Sequence, residues 1–284
     1  MSKKSTIFAL VSLFLLCSWF VPGSFFIANA ANPQDITDFR ILFVDADDGE
    51  SWDTYLTSIF DTLGLDYEST ITKPNVTTMS QYTIVVWHTG DYGGDEMSDE
   101  YKQDEGNLTA YLLGGGRLFL SSQDWIYNQG LSPFVMNYLG VANVQEDNFK
   151  DNRSDILFGT LGDPIGGIFL PFNITYPASY TQYGDNLQPA SFAHTIFYNN
   201  TANPINATAI RNQNATYNFK TVFFGVPFEA FNLNRPVLMT SILAWLISDL
   251  IISEIPGFAF FLILIGLLAI GLPCFKQKLS HRNE

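Results

Sequence analysis

Gly114-Gly115-Gly116-Arg117-Leu118-Phe119-Leu120-Ser121-Ser122-Gln123-Asp124 holds a turn, a buried strand and a polar strand end in eleven residues. Glycines stop the helix before it, because glycine takes the left-handed backbone conformation of a helix C-cap without steric cost. The apolar run that follows reads as a strand covered on both faces. Small polar side chains begin where that strand stops. In an open parallel α/β sheet, the carboxyl ends of strands are where ligands sit.

Similar runs lie upstream. Phe39 to Asp45 and Thr83 to His88 are continuous β-branched and aromatic stretches, as expected for strands buried on both faces. Between them Trp52, Tyr55, Leu56, Ile59, Phe60 and Leu63 recur at helical spacing, with Gly64 as the stop. Asp66 to Thr70 supplies a second strand, and the acidic stretch from Asp91 to Glu105 suits the start of a helix that runs to Leu113. A short helix is predicted over Phe134 to Leu139, a strand over Thr221 to Gly225 and a closing helix over Arg235 to Leu250. This alternation predicts an α/β fold, a mainly parallel sheet with helices on both faces. Residues 143–219 break the pattern with glycines, prolines and short apolar runs, and read as a β-rich excursion from the sheet.

Both ends of the chain read as targeting signals. Lys3 and Lys4 precede an apolar run from Ile7 to Val21, and Ala28-Asn29-Ala30 offers a signal-peptidase site, so residues 1–30 are expected to be a signal peptide. Ile255 to Phe275 is uncharged and apolar, long enough as a helix to cross about 30 Å of hydrocarbon. A single transmembrane helix is expected over residues 254–275. The cationic tail 276–284, with Lys276, Lys278 and Arg282, belongs on the cytoplasmic side and leaves residues 31–253 outside the cell membrane. Ile255-Pro256-Gly257-Phe258 resembles the Pro-Gly-Phe signal of archaeal C-terminal sorting segments, although no Thr-rich stalk precedes it.

With Glu284 and the five terminal cations set aside, residues 31–254 carry 27 acidic and nine basic side chains, a net charge of −18. That charge repels phosphate backbones, so nucleic acid is excluded as a partner class. The two cysteines, Cys17 and Cys274, lie in the terminal apolar runs, so the outer domain is expected to fold without disulfides. Seven Asn-x-Ser/Thr sequons start at Asn75, Asn107, Asn152, Asn173, Asn199, Asn206 and Asn214 and are candidate glycosylation sites on an exported surface.

Four ordered segments resemble the class I glutamine amidotransferase-like domain, in the version attached to secreted M6-type and other extracellular peptidases. They are Val44-Asp45-Ala46-Asp47-Asp48-Gly49, Trp87-His88-Thr89-Gly90-Asp91, Gly115 to Asp124, and Phe224-Gly225-Val226-Pro227-Phe228-Glu229-Ala230. The resemblance covers nearly the whole outer portion and implies a flavodoxin-like three-layer sandwich. It also implies a cysteine nucleophile activated by a histidine, and this sequence has neither: no cysteine lies in the outer portion, and Glu229 stands where the family has the base. Glutamine hydrolysis by that mechanism is therefore excluded. Ser121 or Ser122 in place of the thiol would need a histidine base, and no Gly-x-Ser-x-Gly elbow surrounds either serine.

The strand ends nonetheless collect polar residues. Asp45 and Asp47 follow the first strand, His88 and Asp91 the third, Ser122, Gln123 and Asp124 the fourth, and Glu229 the last. These residues form the candidate ligand site. Asp45, Asp47 and Asp124 offer oxygen ligands to Ca²⁺ or Mg²⁺, although EF-hand spacing fails at Gly49. The same residue types also serve as helix caps and turn residues. The sequence thus leaves three functions open. One is a non-catalytic, membrane-anchored, glycosylated module binding a surface protein, a glycan or an ion without a cofactor; another is a metal-assisted hydrolase using the acidic cluster; the third, an accessory subunit of a surface peptidase, follows from the resemblance alone.

Overall fold

The computed structural model describes residues 39–47, 53–90, 99–147, 156–176, 183–199 and 205–254. Its centre is a set of parallel strands whose side chains are buried throughout. β1 (Ile41–Asp45), β3 (Ile84–Gly90) and β4 (Arg117–Ser122) pair in parallel, β2 (Tyr67–Thr70) flanks β1, and β11 (Phe219–Phe224) joins β4 in parallel. Their side chains alternate between two covered faces, which is why the sequence shows no polar alternation. Leu42, Val44, Val85, Trp87, Leu118 and Leu120 pack with Leu108, Tyr111 and Leu112 of α3 (Asp99–Leu113). On the opposite face Phe43 meets Phe60 of α1 (Asp53–Leu63) edge-on, with ring centroids 5.8 Å apart.

The stretch from Gly114 to Asp124 behaves as the sequence predicts. Gly115 has φ of +90°, and Gly116 lies so close to the Tyr111 ring that a Cβ there would overlap it. The turn therefore folds tightly under the helix end and delivers Arg117 straight into the strand. A short helix not foreseen, α2 (Val76–Met79), lies between β2 and β3, with Asn75 Oδ1 capping it by accepting from Thr78 N. α4 is short (Trp125–Gln129), and the predicted helix over 134–139 is a π-helical turn, Val135–Leu139, closed by Gly140 in the left-handed conformation.

The expectation of a mainly parallel sheet is corrected. β11 is also the first strand of an antiparallel half in which β10 (Ala207–Asn214), β9 (His194–Asn199), β6 (Ile156–Gly159) and β7 (Phe172–Asn173) follow in order. β5 (Val141–Gln145) and β8 (Asn186–Pro189) pair with each other, and β8 touches β10 at Leu187 and Ala207. The result is one mixed sheet of eleven strands. Segment 143–219 is thus the second half of the sheet, not an excursion from it. Hydrogen bonding explains the difference: β11 offered an unpaired edge, and antiparallel neighbours satisfied it.

α5 (Arg235–Glu254) closes the fold. Arg235 donates to the carbonyls of Glu229 and Phe231 beyond the C-terminal end of β11, whereas the Trp245 carbonyl accepts from Lys220 Nζ near the start of β11. This helix therefore runs from the C-terminal edge of the parallel strands to their N-terminal edge. Residues up to Leu246 form one compact unit, and Ile247 begins a second. Among the described residues no helix is long and apolar enough to cross a membrane. Residues 1–30, expected to be a signal peptide, the apolar run 255–275 and the tail 276–284 lie outside the described residues.

Candidate functional site

The C-terminal edge of the parallel strands gathers most of the polar residues picked out in the sequence. In register, Asp45 of β1 lies beside His88 of β3, and His88 beside Ser121 of β4. Ala46 N donates to His88 O at 2.8 Å, which holds the chain after β1 against β3. Asp45, Asp47, His88, Ser122, Gln123, Asp124 and Glu229 are all buried. Asp91 lies outside the described residues.

Glu229 arrives from the far side of the sheet. It sits on a 3₁₀ turn, Phe228–Ala230, just after β11, and its Oε1 is 3.0 Å from His88 Nε2. The carboxylate lies off the ring N–H axis, so the contact is an ion pair rather than an aligned hydrogen bond. Burial alone would lower the His88 pKa, but Glu229, then Asp47 and Asp45, outweigh it and raise it above the ordinary value. The imidazolium is thereby favoured in a site with three nearby carboxylates. The ring of His88 also stacks on Phe43 at 6.5 Å.

The two serines face structural partners. Ser121 Oγ accepts from Phe228 N at 2.9 Å, tying β4 to the turn that carries Glu229. Ser122 Oγ accepts from Thr89 Oγ1 at 2.6 Å, across the β3–β4 pair. His88 Nδ1 has no hydrogen-bond partner among the described residues, so neither serine is paired with a base. His194, the other histidine among the described residues, is exposed at the start of β9.

Asp124 occupies the N-cap position of α4 but makes no side-chain cap bond. Its charge is felt by Asp185, which precedes β8 and whose N donates to Gly225 O at 2.7 Å. Burial raises the Asp185 carboxyl well above the usual range despite the hydrogen bond from Asp147 N, and Asp124, Glu146 and Asp147 push it further the same way. Gln123 Oε1 accepts from Tyr183 N at 3.4 Å. Among the described residues no group of three or more His, Cys, Asp or Glu side chains is arranged to hold a metal ion. Asp45, Asp47 and Asp124 share an edge without forming such a set.

Sequence reasoning missed Thr89, the partnership of Ser121 with Phe228, and Asp185. Thr89 and Ser121 flank residues that were picked: the register sets Ser121 beside His88, and Thr89 lies at the irregularity between His88 and Gly90. Asp185 carried no signal, since its position depends on β8 meeting the end of β11. Of the sequons, Asn75 and Asn173 are exposed, Asn107, Asn206 and Asn214 partly so, and Asn152 lies outside the described residues. Asn199 is buried, and its Nδ2 donates to Asn186 Oδ1 at 2.9 Å, a contact that a glycan on that nitrogen would break.

No protein-family model matches the chain, and no curated relative does. Solved structures do. A GMP synthase component from Thermoplasma acidophilum superposes with a TM-score of 0.51 at 13% identity, over 76% of this chain and 98% of that one. The fold is amidotransferase-like. The N-terminal domain of mmIFT52 superposes with a TM-score of 0.50 at 14% identity, over 73% of this chain and 96% of that domain. At such identities the amidotransferase-like scaffold is what is shared, and the residues on it are this chain's own.

Proposed function

We propose that the chain is a non-catalytic binding or accessory module, glycosylated and held on the outer face of a membrane by residues 254–275. One observation carries this reading. The hydroxyls at the strand ends are buried and committed to Phe228 N and Thr89, while the buried histidine faces Glu229. A serine nucleophile needs a base within hydrogen-bond reach and a path for substrate. Here the residues that would react instead clamp β3, β4 and the 3₁₀ turn to one another. The partner class that suits the reading is a surface protein or glycan, since the chain's charge disfavours nucleic acid.

The test is an assay of the purified full-length chain in detergent against glutamine and against amide, ester and phosphoester model substrates. It is run with and without Ca²⁺ or Mg²⁺. No turnover above the uncatalysed rate is expected in any arm. Hydrolysis that Ser122→Ala abolishes would overturn the reading, and hydrolysis that needs the metal and is lost in Asp45→Asn would replace it with metal-assisted chemistry.

A further inference from the structure

Far from the polar edge, the hairpin loop between β6 and β7 presents three aliphatic side chains to solvent. Leu161 is 94% exposed, Ile168 61% and Leu170 85%. Floppy loops often expose apolar residues, but this loop is braced. Asp163 Oδ1 accepts from Ile165 N and Gly166 N at 2.9 Å each, Gly167 N donates to Asp163 O, Phe169 N to Gly166 O, and Thr160 N to Ile196 O. Residues 160–171 contain a single charge, Asp163, and it is buried against Arg211 with Nε 2.7 Å from Oδ2. A hydrogen-bonded loop whose one charge is buried, and which displays aliphatic residues on so acidic a chain, marks an interaction site rather than ordinary surface.

The position of the loop indicates its occupant. β9 runs antiparallel to β10 and so in the direction of β11, and β6 runs antiparallel to β9. β6 therefore leads into the loop toward the N-terminal edge of the parallel strands. α5 reaches that same edge at Trp245, and Arg211, which holds Asp163, also lies over the Trp245 ring at 5.1 Å. The chain thus leaves the sheet unit at the end toward which the loop points. Only nine residues of sequence lie between Trp245 and Ile255, where the uncharged apolar run begins.

We propose that loop 160–171 is a bilayer-contact loop, in which Leu161, Ile168 and Leu170 enter the outer interface of the membrane that anchors the chain. The inference rests on the reading of 255–275 as an anchor. The contact is apolar, because a net charge of −18 would be repelled by anionic headgroups.

The experiment uses the full chain, in a Cys17→Ser, Cys274→Ser background, reconstituted into phosphatidylcholine vesicles with or without bromine on the acyl chains. An environment-sensitive fluorophore is placed at Leu170→Cys, at Leu161→Cys, or at Ile71→Cys as control. Ile71 is 82% exposed and follows β2 at the opposite, C-terminal edge. We expect the chain to float with the vesicles and the labels at 161 and 170 to be quenched roughly twofold by brominated lipid, with the label at 71 unaffected. Flotation without quenching at 161 and 170, or with equal quenching at 71, overturns the loop while leaving the anchor standing. Failure to float removes the anchor, and the loop inference with it. All three labelled positions are on the surface, and a thermal melt matching that of the unlabelled chain confirms each fold.

Discussion

The two halves of the sheet are stabilised differently. In the parallel half, β1, β3, β4 and β11 are buried along their whole length, and helices cover both faces. In the antiparallel half, β5, β6 and β9 mix buried and open positions, and β7 has just two residues. The parallel strands are specified by what covers them, the antiparallel strands by what they pair with. The candidate site lies at the C-terminal end of the first half. The apolar loop belongs to the second.

The seam between the halves should be the most sensitive place. Phe224 of β11 packs against Phe119, Phe231, Phe228 and Phe197, with ring centroids 4.8 to 6.3 Å away. Phe224→Ala is expected to cost about 3–5 kcal/mol by chemical denaturation, from lost transfer energy and the cavity left behind. A loss confined to one half, with the other still melting cooperatively, would show that the halves fold separately.

Next comes the ion pair that ties the 3₁₀ turn to β3. Glu229→Gln leaves His88 buried without its nearest counter-charge and is expected to cost about 3 kcal/mol at pH 6. The pH dependence has a definite sign. The folded pKa of His88 is raised, so its contribution is fully present below the unfolded histidine value of about 6.5 and is lost as pH rises through the folded value. Stability of the native chain should fall across that window, and the fall should shrink in Glu229→Gln; an unchanged profile would show that the pair does not titrate on unfolding.

In the antiparallel half, Asn199→Ala strands the buried Asn186 carbonyl oxygen and is expected to cost about 1–3 kcal/mol. Peptide mapping after glycosidase treatment should find Asn199 unmodified while Asn75 and Asn173 carry glycans. A glycan at Asn199 would mean that β9 and β8 do not meet in the mature protein. Asp185→Asn acts in the opposite direction. A carboxyl whose folded pKa is raised loses stability as pH climbs from the unfolded value of about 3.9 to the folded one. The amide should therefore raise Tm at pH 7 relative to the native chain and lose that advantage below pH 4. Smallest of all, Leu161→Ser with Leu170→Ser should change stability within about 0.5 kcal/mol, because both side chains are almost wholly exposed.

Legibility followed the same division. Val85, Trp87, Leu118 and Phe119 announced their strands because helices bury them from both sides, and burial on two faces leaves a continuous apolar run. The strand-end residues Asp45, His88 and Ser122 were legible for the same reason, since each ends such a run, whereas Glu229, on the turn past β11, was picked out through the resemblance. Their roles were not. That His88 answers to Glu229 and not to a serine depends on where the 3₁₀ turn after β11 comes down.

Residue order was enough to settle the parallel core, the absence of the sulfur and imidazole that the resembled chemistry requires, and the polar edge where strands stop. These are local facts, fixed by composition and periodicity within a few residues. Folding in three dimensions was needed to show that segment 143–219 completes the sheet, that Asn199 is buried, and that Asp185 lies close to Asp124. Each depends on antiparallel register between segments far apart in the chain, and a strand half covered on one face carries too little pattern to announce its neighbour.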